Sequence, residues 1–151
     1  MEKEFVPYEQ SLQLKELGFD EPCFGTWLSS FQSGWKVYEL ILEMGMNEEF
    51  EDNRNVYLLD GACSAPTFSQ AFRWFREKYE LRNSITDFID DEIGIDWDYA
   101  IAIIGTDLDE KGNYKPLVDY SIDDETRKFK TYEEAELACL DKLIEIVKNK
   151  P

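Results

Sequence analysis

The sequence contains no histidine among its 151 residues. Histidine is the side chain most often used to transfer protons near neutral pH, and it is also a common metal ligand. Its absence removes the Ser-His and Cys-His nucleophilic mechanisms and the zinc sites that need an imidazole. We therefore predict no catalytic residue, no bound metal and no cofactor, and enzymatic activity stays open only for chemistry that carboxylates perform alone.

Cysteine is scarce as well, because the chain has only Cys23, Cys63 and Cys139, which are widely separated. An odd number of cysteines without a CxxC pair predicts neither a disulfide framework nor a structural zinc site. No apolar run approaches the ~20 residues that cross a membrane, and the N-terminus lacks the basic and apolar segments of a signal peptide. We therefore expect a cytoplasmic protein that does not bind membranes.

Positive charge is also in short supply, since 16 Lys and Arg stand against 33 Asp and Glu, for a formal net charge of -17 at pH 7. Such a surface repels nucleic-acid phosphates and anionic lipids, so direct binding to nucleic acid is not expected. The chain should nevertheless fold, because 15% of its residues are aromatic and acidic disordered chains are poor in aromatic residues. These features favour a protein that acts by binding another protein.

Hydrophobic periodicity predicts three helices. They cover residues 7–17, 66–79 and 131–147. Capping boxes of the S/T-x-x-E/Q form mark the start of the second helix at Thr67 and Gln70, and the start of the third helix at Thr131 and Glu134. In such a box each side chain can accept a hydrogen bond from a backbone N–H that the helix leaves unpaired.

Between the helices the chain has the β-favouring residues and turn signals of strands. Strands are predicted over residues 23–31, 85–89, 97–106 and 114–122, whereas residues 35–42 fit either a strand or a helix. Strands joined by hairpins predict an α+β fold, with an antiparallel sheet packed against two main helices and a short N-terminal helix. No linker rich in Pro, Gly or Ser divides the chain, so residues 1–151 are expected to form a single acidic domain.

The predicted core consists of apolar residues on the inner faces of these elements. They are Leu17, Trp27, Val37, Phe68, Phe72, Phe75, Ile101, Ile103, Leu140, Leu143, Ile144 and Val147.

Three blocks of the chain resemble small uncharacterised proteins encoded by phages and prophages of gut Bacteroides-type bacteria. The blocks are LKELGFDEPC at residues 14–23, APTFSQAFRWFREKY at residues 65–79 and TYEEAELACLDKLI at residues 131–144. The resemblance implies a mobile-element setting and a bacterial cytoplasm, and it carries no active site with it. The working hypothesis is a non-enzymatic prophage-type accessory protein that binds another protein.

The acidic middle of the chain is the first candidate for a binding surface. Residues 83–125 hold thirteen acidic residues against Lys111 and Lys115, and so carry -11 of the net charge of -17. Carboxylates spaced along rigid strands can imitate duplex phosphates and occupy the groove of a basic DNA-binding protein. The simpler alternative is that the charge keeps the protein soluble. The candidate partner-binding residues in this segment are Asp90, Asp91, Glu92, Asp96 and Asp98.

The same carboxylates support an alternative function, a histidine-free carboxylate-dependent hydrolase. Asp96 and Asp98 are two residues apart, so on a strand they share a face. Glycosidases and two-metal nucleases work with such carboxylates. A calcium loop is not expected at residues 107–118, because Lys111 and Val118 occupy positions where an EF-hand needs oxygen ligands.

The second predicted helix carries the remaining candidates. Arg73, Trp74 and Arg76 form a basic patch on an acidic protein, and Trp and Arg are enriched in the energetically dominant residues of protein interfaces. If Trp74 is partly exposed, it can anchor a partner. The alternative is that Trp74 packs under a neighbouring loop while the arginines pair with the acidic segment.

Overall fold

The computed structural model of the chain describes residues 2–32, 35–42, 61–90, 94–108, 114–119 and 129–149. The elements follow one another along these residues. They are a 3-10 turn at Glu2–Glu4, α1 at Tyr8–Glu16, β1 at Gly25–Gln32, β2 at Trp35–Leu42, β3 at Ala62–Ala65, α2 at Phe68–Tyr79, β4 at Leu81–Asp90, β5 at Gly94–Leu108, β6 at Tyr114–Asp119 and α3 at Tyr132–Lys148.

The fold is α+β with antiparallel strand pairing, as the sequence predicts. Within the described residues the strands form two sheets rather than one, with the orders β2-β1-β3 and β4-β5-β6. Residues 35–42 are a strand, because they pair along their whole length with β1, from Gly25 opposite Leu42 to Gln32 opposite Trp35. The apolar spacing of this segment fits a helix equally well, so the neighbouring strand decides its conformation.

The chain clusters into two compact units, Met1–Ala71 and Phe72–Pro151. The organisation of residues 1–151 as a single domain stays a prediction.

The first unit packs α1 against one face of its sheet. The core there is formed by buried side chains with three partly buried leucines beside them. These are Phe5, Tyr8, Trp27, Cys63 and Ala65, with Leu12, Leu40 and Leu42. Trp27 Nε1 donates a hydrogen bond of 2.8 Å to the carbonyl oxygen of Val6, so the polar edge of this buried indole is satisfied. The N-terminal segment is thereby bound to β1.

The end of α1 shows how the sequence stops a helix. Gly18 has a φ of 84°, in the left-handed region that favours glycine. Its N–H donates to the carbonyl oxygen of Lys15 at 3.0 Å, and the N–H of Phe19 donates to that of Leu14 at 2.9 Å. These two bonds define a Schellman motif, and the buried side chains of Leu14 and Phe19 supply its usual apolar contact.

The second unit packs α3 against β4 and β5. The helix buries Cys139, Leu140, Leu143 and Ile144 among others, and the sheet buries Leu81, Tyr99 and Ile101.

The core prediction is correct for most residues. Trp27, Phe68, Phe72, Phe75, Ile101, Leu140, Leu143 and Ile144 are buried. Leu17, Val37 and Val147 are only half-buried, so their placement in the core is wrong. Leu17 is the C-cap residue of α1 and Val147 lies in the last turn of α3, where a helix leaves its neighbours. The side chain of Ile103 lies outside the described part of the structure. Within that part, no helix has the length and apolar character needed to cross a membrane.

Candidate functional site

The longest regular feature of the second unit is the hairpin of β4 and β5. Ten residue pairs join the two strands, from Leu81 opposite Ile103 to Asp90 opposite Gly94. Because paired residues point to the same side of a sheet and successive residues alternate, the odd-numbered residues of both strands share one face. That face is buried where Leu81 lies and is open at the other end of the hairpin, where Ile89 lies.

Two isoleucines at the open end are directly paired and exposed. The side chain of Ile89 is 78% exposed, and that of its partner Ile95 is 58% exposed. One pair further from this end, Asp87 lies opposite Trp97, and Asp87 is exposed on the same face. We call Asp87, Ile89 and Ile95 the hairpin-end surface. The two adjacent isoleucines form a small exposed apolar patch on a regular strand pair, whereas single exposed apolar residues are common on any protein.

The position of α3 explains why this surface is open. Tyr132 is the first residue of α3, and its ring meets the ring of Trp97 edge to face, with 5.3 Å between the centroids. The helix packs against β4 and β5, and Tyr99 and Ile101 are the buried residues of β5 on this face. The helix therefore begins beside Trp97, and Ile89 and Ile95 lie beyond its start.

The charge near the hairpin-end surface is negative. Residues 86–98 contain six acidic residues and no lysine or arginine. Of the residues predicted to bind a partner here, Asp91 and Glu92 lie outside the described residues, and the same holds for the side chain of Asp90. In the sequence, only residues 91–93 lie between the paired Asp90 and Gly94.

The side chain of Asp96 is buried in an ion pair within the protein. Its side chain is fully buried, and its Oδ1 lies 2.6 Å from Nζ of Lys130. The prediction that Asp96 contacts a partner protein is therefore wrong, because a carboxylate without solvent exposure is not available to a docking surface. Its Oδ2 is also buried and has no hydrogen-bond partner in the part of the chain that the structure describes.

Backbone pairing brings Lys130 to this position. Trp97 and Phe129 exchange two hydrogen bonds, of 2.9 Å and 3.0 Å, in an antiparallel bridge. Because the chains run in opposite directions, Lys130 lies across from Asp96, on the face opposite to that of the isoleucines. The backbone N–H of Lys130 also donates to Oε2 of Glu134 at 3.0 Å. The segment before α3 is thus joined both to β5 and to the first turn of the helix.

Asp98 shares a face with Asp96, as their spacing predicts, and it is half-buried. Its Oδ1 accepts a hydrogen bond of 2.7 Å from the backbone N–H of Tyr99. Across the described ranges, no three acidic or cysteine side chains come together as a metal site would require.

The basic patch on α2 follows one of the two alternatives for Trp74. Arg73 and Arg76 are exposed, whereas Trp74 is only 6% exposed, so Trp74 is a packed residue and not a protruding anchor. The Trp74 ring packs edge to face on Phe75 and Tyr79, with centroid distances of 5.0 Å and 5.2 Å. Phe72 and Phe75 are buried as well, so α2 is buried over more than the single stripe that its periodicity predicts. The roles of Arg73 and Arg76 in partner binding stay predictions.

The thiol of Cys63 is buried in β3 and does not have the environment of a reactive cysteine. Burial raises the pKa of Cys63 to about 12, against a smaller lowering by the positive charge of Lys15. At neutral pH the group is therefore a neutral thiol, and thiolate is the form that acts as nucleophile.

Sequence reasoning missed the residues that distinguish this site. Ile89 and Ile95 each stand in an alternating pattern, but a pattern does not show which part of a strand a helix covers. Lys130 carries no local signal, because its partner lies 34 positions earlier in the chain.

No protein family, curated protein or solved structure matches this chain.

Proposed function

We propose that this chain is a non-enzymatic accessory protein that binds another protein through the hairpin-end surface. The observation that carries the proposal is the exposure of the paired Ile89 and Ile95 on a regular hairpin, beyond the start of α3. A phage or prophage setting in a bacterial cytoplasm belongs to the same proposal and rests on the resemblance of three sequence blocks.

The free energy gained by burying the two isoleucines can be compared with the free energy of binding of a protein complex. Complete burial of an isoleucine contributes about 1.5–3 kcal/mol, so burying this exposed pair contributes roughly 2–4 kcal/mol. A micromolar complex needs about 8 kcal/mol. The pair is thus an anchor at the centre of a contact, and the surrounding surface must supply the remainder.

Mimicry of a nucleic acid is a narrower form of this proposal, in which the partner is a basic DNA-binding protein. The exposed Asp87 and the acidic sequence of residues 86–98 support it. The burial of Asp96 removes one carboxylate from the expected row, so a continuous charged stripe along β5 is not supported.

Photo-crosslinking of the whole chain tests the proposal directly. A photoreactive amino acid replaces Ile89 in one sample and the exposed Glu77 of α2 in a control, both expressed in Bacteroides-type cells. We expect position 89 to give discrete adducts with few host or phage proteins that position 77 does not give. Absence of any adduct at position 89, or the same adducts from both positions, contradicts the proposal.

The alternative function, a histidine-free carboxylate-dependent hydrolase, has one observation in its favour. Asp96 lies on the same side of β5 as Asp98, and its Oδ2 has no hydrogen-bond partner among the residues that the structure describes. Incubation of the protein with Mg²⁺ and either duplex DNA or a soluble polysaccharide separates the two functions. We expect no cleavage, and cleavage that both Asp96→Asn and Asp98→Asn abolish would establish the hydrolase.

A further inference from the structure

We infer that the hairpin-end surface binds a cationic amphipathic segment of another protein. In this arrangement the apolar side chains of the segment cover Ile89 and Ile95, and a lysine or arginine of the segment pairs with the exposed Asp87. The inference rests on the proposed function and adds the chemistry of the partner.

Local charge supports a cationic partner. Charges separated by more than about 8 Å are largely screened at physiological ionic strength, so the residues near the isoleucines decide the field there. Asp87 is exposed on the same face, and residues 86–98 contain no lysine or arginine. Lys130 pairs with Asp96, which is buried on the opposite face. The carboxylate at the rim of the hairpin-end surface, Asp87, therefore lacks a cation within its own stretch of the hairpin.

The same charges oppose two other occupants. A second copy of this chain would bring together two molecules that each carry a formal net charge of -17, with an exposed Asp87 on each contacting face. Like charges placed against each other across an interface are costly. An anionic lipid surface meets the same repulsion. A partner with lysines or arginines around an apolar centre instead satisfies both the isoleucines and the carboxylates.

The probe for the test is a synthetic helical peptide with leucine at i, i+3, i+4 and i+7 and lysine elsewhere. An oligolysine of the same charge and a leucine–glutamate peptide serve as comparison probes. Each peptide carries a fluorophore, and its affinity for the full chain is measured by anisotropy at low salt and at about 0.15 M salt.

We expect the leucine–lysine peptide to bind about tenfold more tightly than oligolysine, and the leucine–glutamate peptide not to bind. The double substitution Ile89→Ser with Ile95→Ser should remove this difference. The matched control is Ile41→Ser, since Ile41 is also an exposed isoleucine on an antiparallel strand. All three side chains are partly exposed, so all variants should keep the wild-type circular dichroism spectrum, while the loss of partly buried apolar area lowers their melting temperatures.

Equal binding of oligolysine and the leucine–lysine peptide, or equal loss of binding in the Ile41 control, overturns the inference. So does self-association of the wild-type chain in sedimentation that the double substitution abolishes, since the occupant is then a second copy. The proposed function survives these failures if crosslinking from position 89 still captures a specific protein, and the two proposals are thereby tested separately.

Discussion

The fully buried carboxylate of Asp96 lies 2.6 Å from Nζ of Lys130, whose side chain is 60% exposed. The lysine belongs to the segment that precedes α3, and the aspartate belongs to β5. Two further interactions involve the segment of residues 129–130. Trp97 and Phe129 form a backbone bridge, and the N–H of Lys130 donates to Glu134. These contacts hold the start of α3 against the sheet at the place where the covered part of the hairpin ends.

Replacing Lys130 with methionine should destabilise the protein. The substitution leaves the Asp96 carboxylate buried without its cation, and a buried unsatisfied acceptor costs about 1–3 kcal/mol. Lys142→Ala is the matched control, because Lys142 pairs with the exposed Glu145 at 3.0 Å and such a pair contributes less than about 1 kcal/mol. Urea unfolding followed by circular dichroism measures both free energies of unfolding.

Adding Asp96→Asn to Lys130→Met should restore part of the lost stability, since an amide is cheaper to bury than an unpaired carboxylate. A Lys130→Met variant as stable as Lys142→Ala would show that the buried contact has no net effect.

The buried thiol of Cys63 should make stability depend on pH in the alkaline range. Burial raises its pKa in the folded chain from 9.0 to about 12, so the fold favours the neutral thiol. This contribution is fully present below pH 9 and is lost as the pH rises through 9 towards 12, because the unfolded chain ionises first. Relative to Cys63→Ala, the wild type should lose about 1 kcal/mol of unfolding free energy per pH unit above 9.

The comparison with Cys63→Ala cancels the titration of lysines and tyrosines, which both proteins share. Unfolding free energies measured in urea from pH 7 to about 10.5 cover part of this window. A difference between the two proteins that does not change with pH would mean that the thiol is accessible to water in the folded chain.

Substitutions at two residues in the left-handed backbone region should change the stability of the protein in opposite directions. Gly18 has a φ of 84° and Glu80 has a φ of 59°. A side chain in this region costs about 1–2 kcal/mol, so Gly18→Ala should destabilise the protein by about 1 kcal/mol. Glu80→Gly should stabilise it by up to about 1 kcal/mol, because the relief of strain exceeds the added chain entropy of glycine. Thermal unfolding measures both, and the same sign for the two substitutions would contradict the expectation.

Local chemistry explains why the helix ends could be predicted. In the box at α2, the Gln70 N–H donates to Thr67 Oγ1 at 3.2 Å and the Thr67 N–H donates to Gln70 Oε1 at 3.0 Å. The box at α3 forms only in part as expected, since Thr131 Oγ1 accepts from the Glu134 N–H but the Glu134 carboxylate binds the N–H of Lys130. Residues three or four apart can be paired from the sequence because the helix itself sets their distance.

The strands were predicted with less detail, because their partners are remote. The segment at residues 62–65 has small residues and no alternation, and it becomes β3 only because β1 offers it hydrogen bonds opposite Gly25 to Leu28. The extension of β5 back to Gly94 likewise depends on β4. The sequences of these two segments by themselves do not predict strands there.

The composition and local patterns of this chain are enough to establish its acidic character, its α+β class and the limits of its main helices, since these depend on residues that are neighbours along the chain. The division of the strands into two sheets, the burial of Asp96 and Trp74, and the exposure of Ile89 and Ile95 depend on which distant surfaces meet. Burial is a property of such contacts, so an aspartate can lie inside and an isoleucine outside only after the chain has folded.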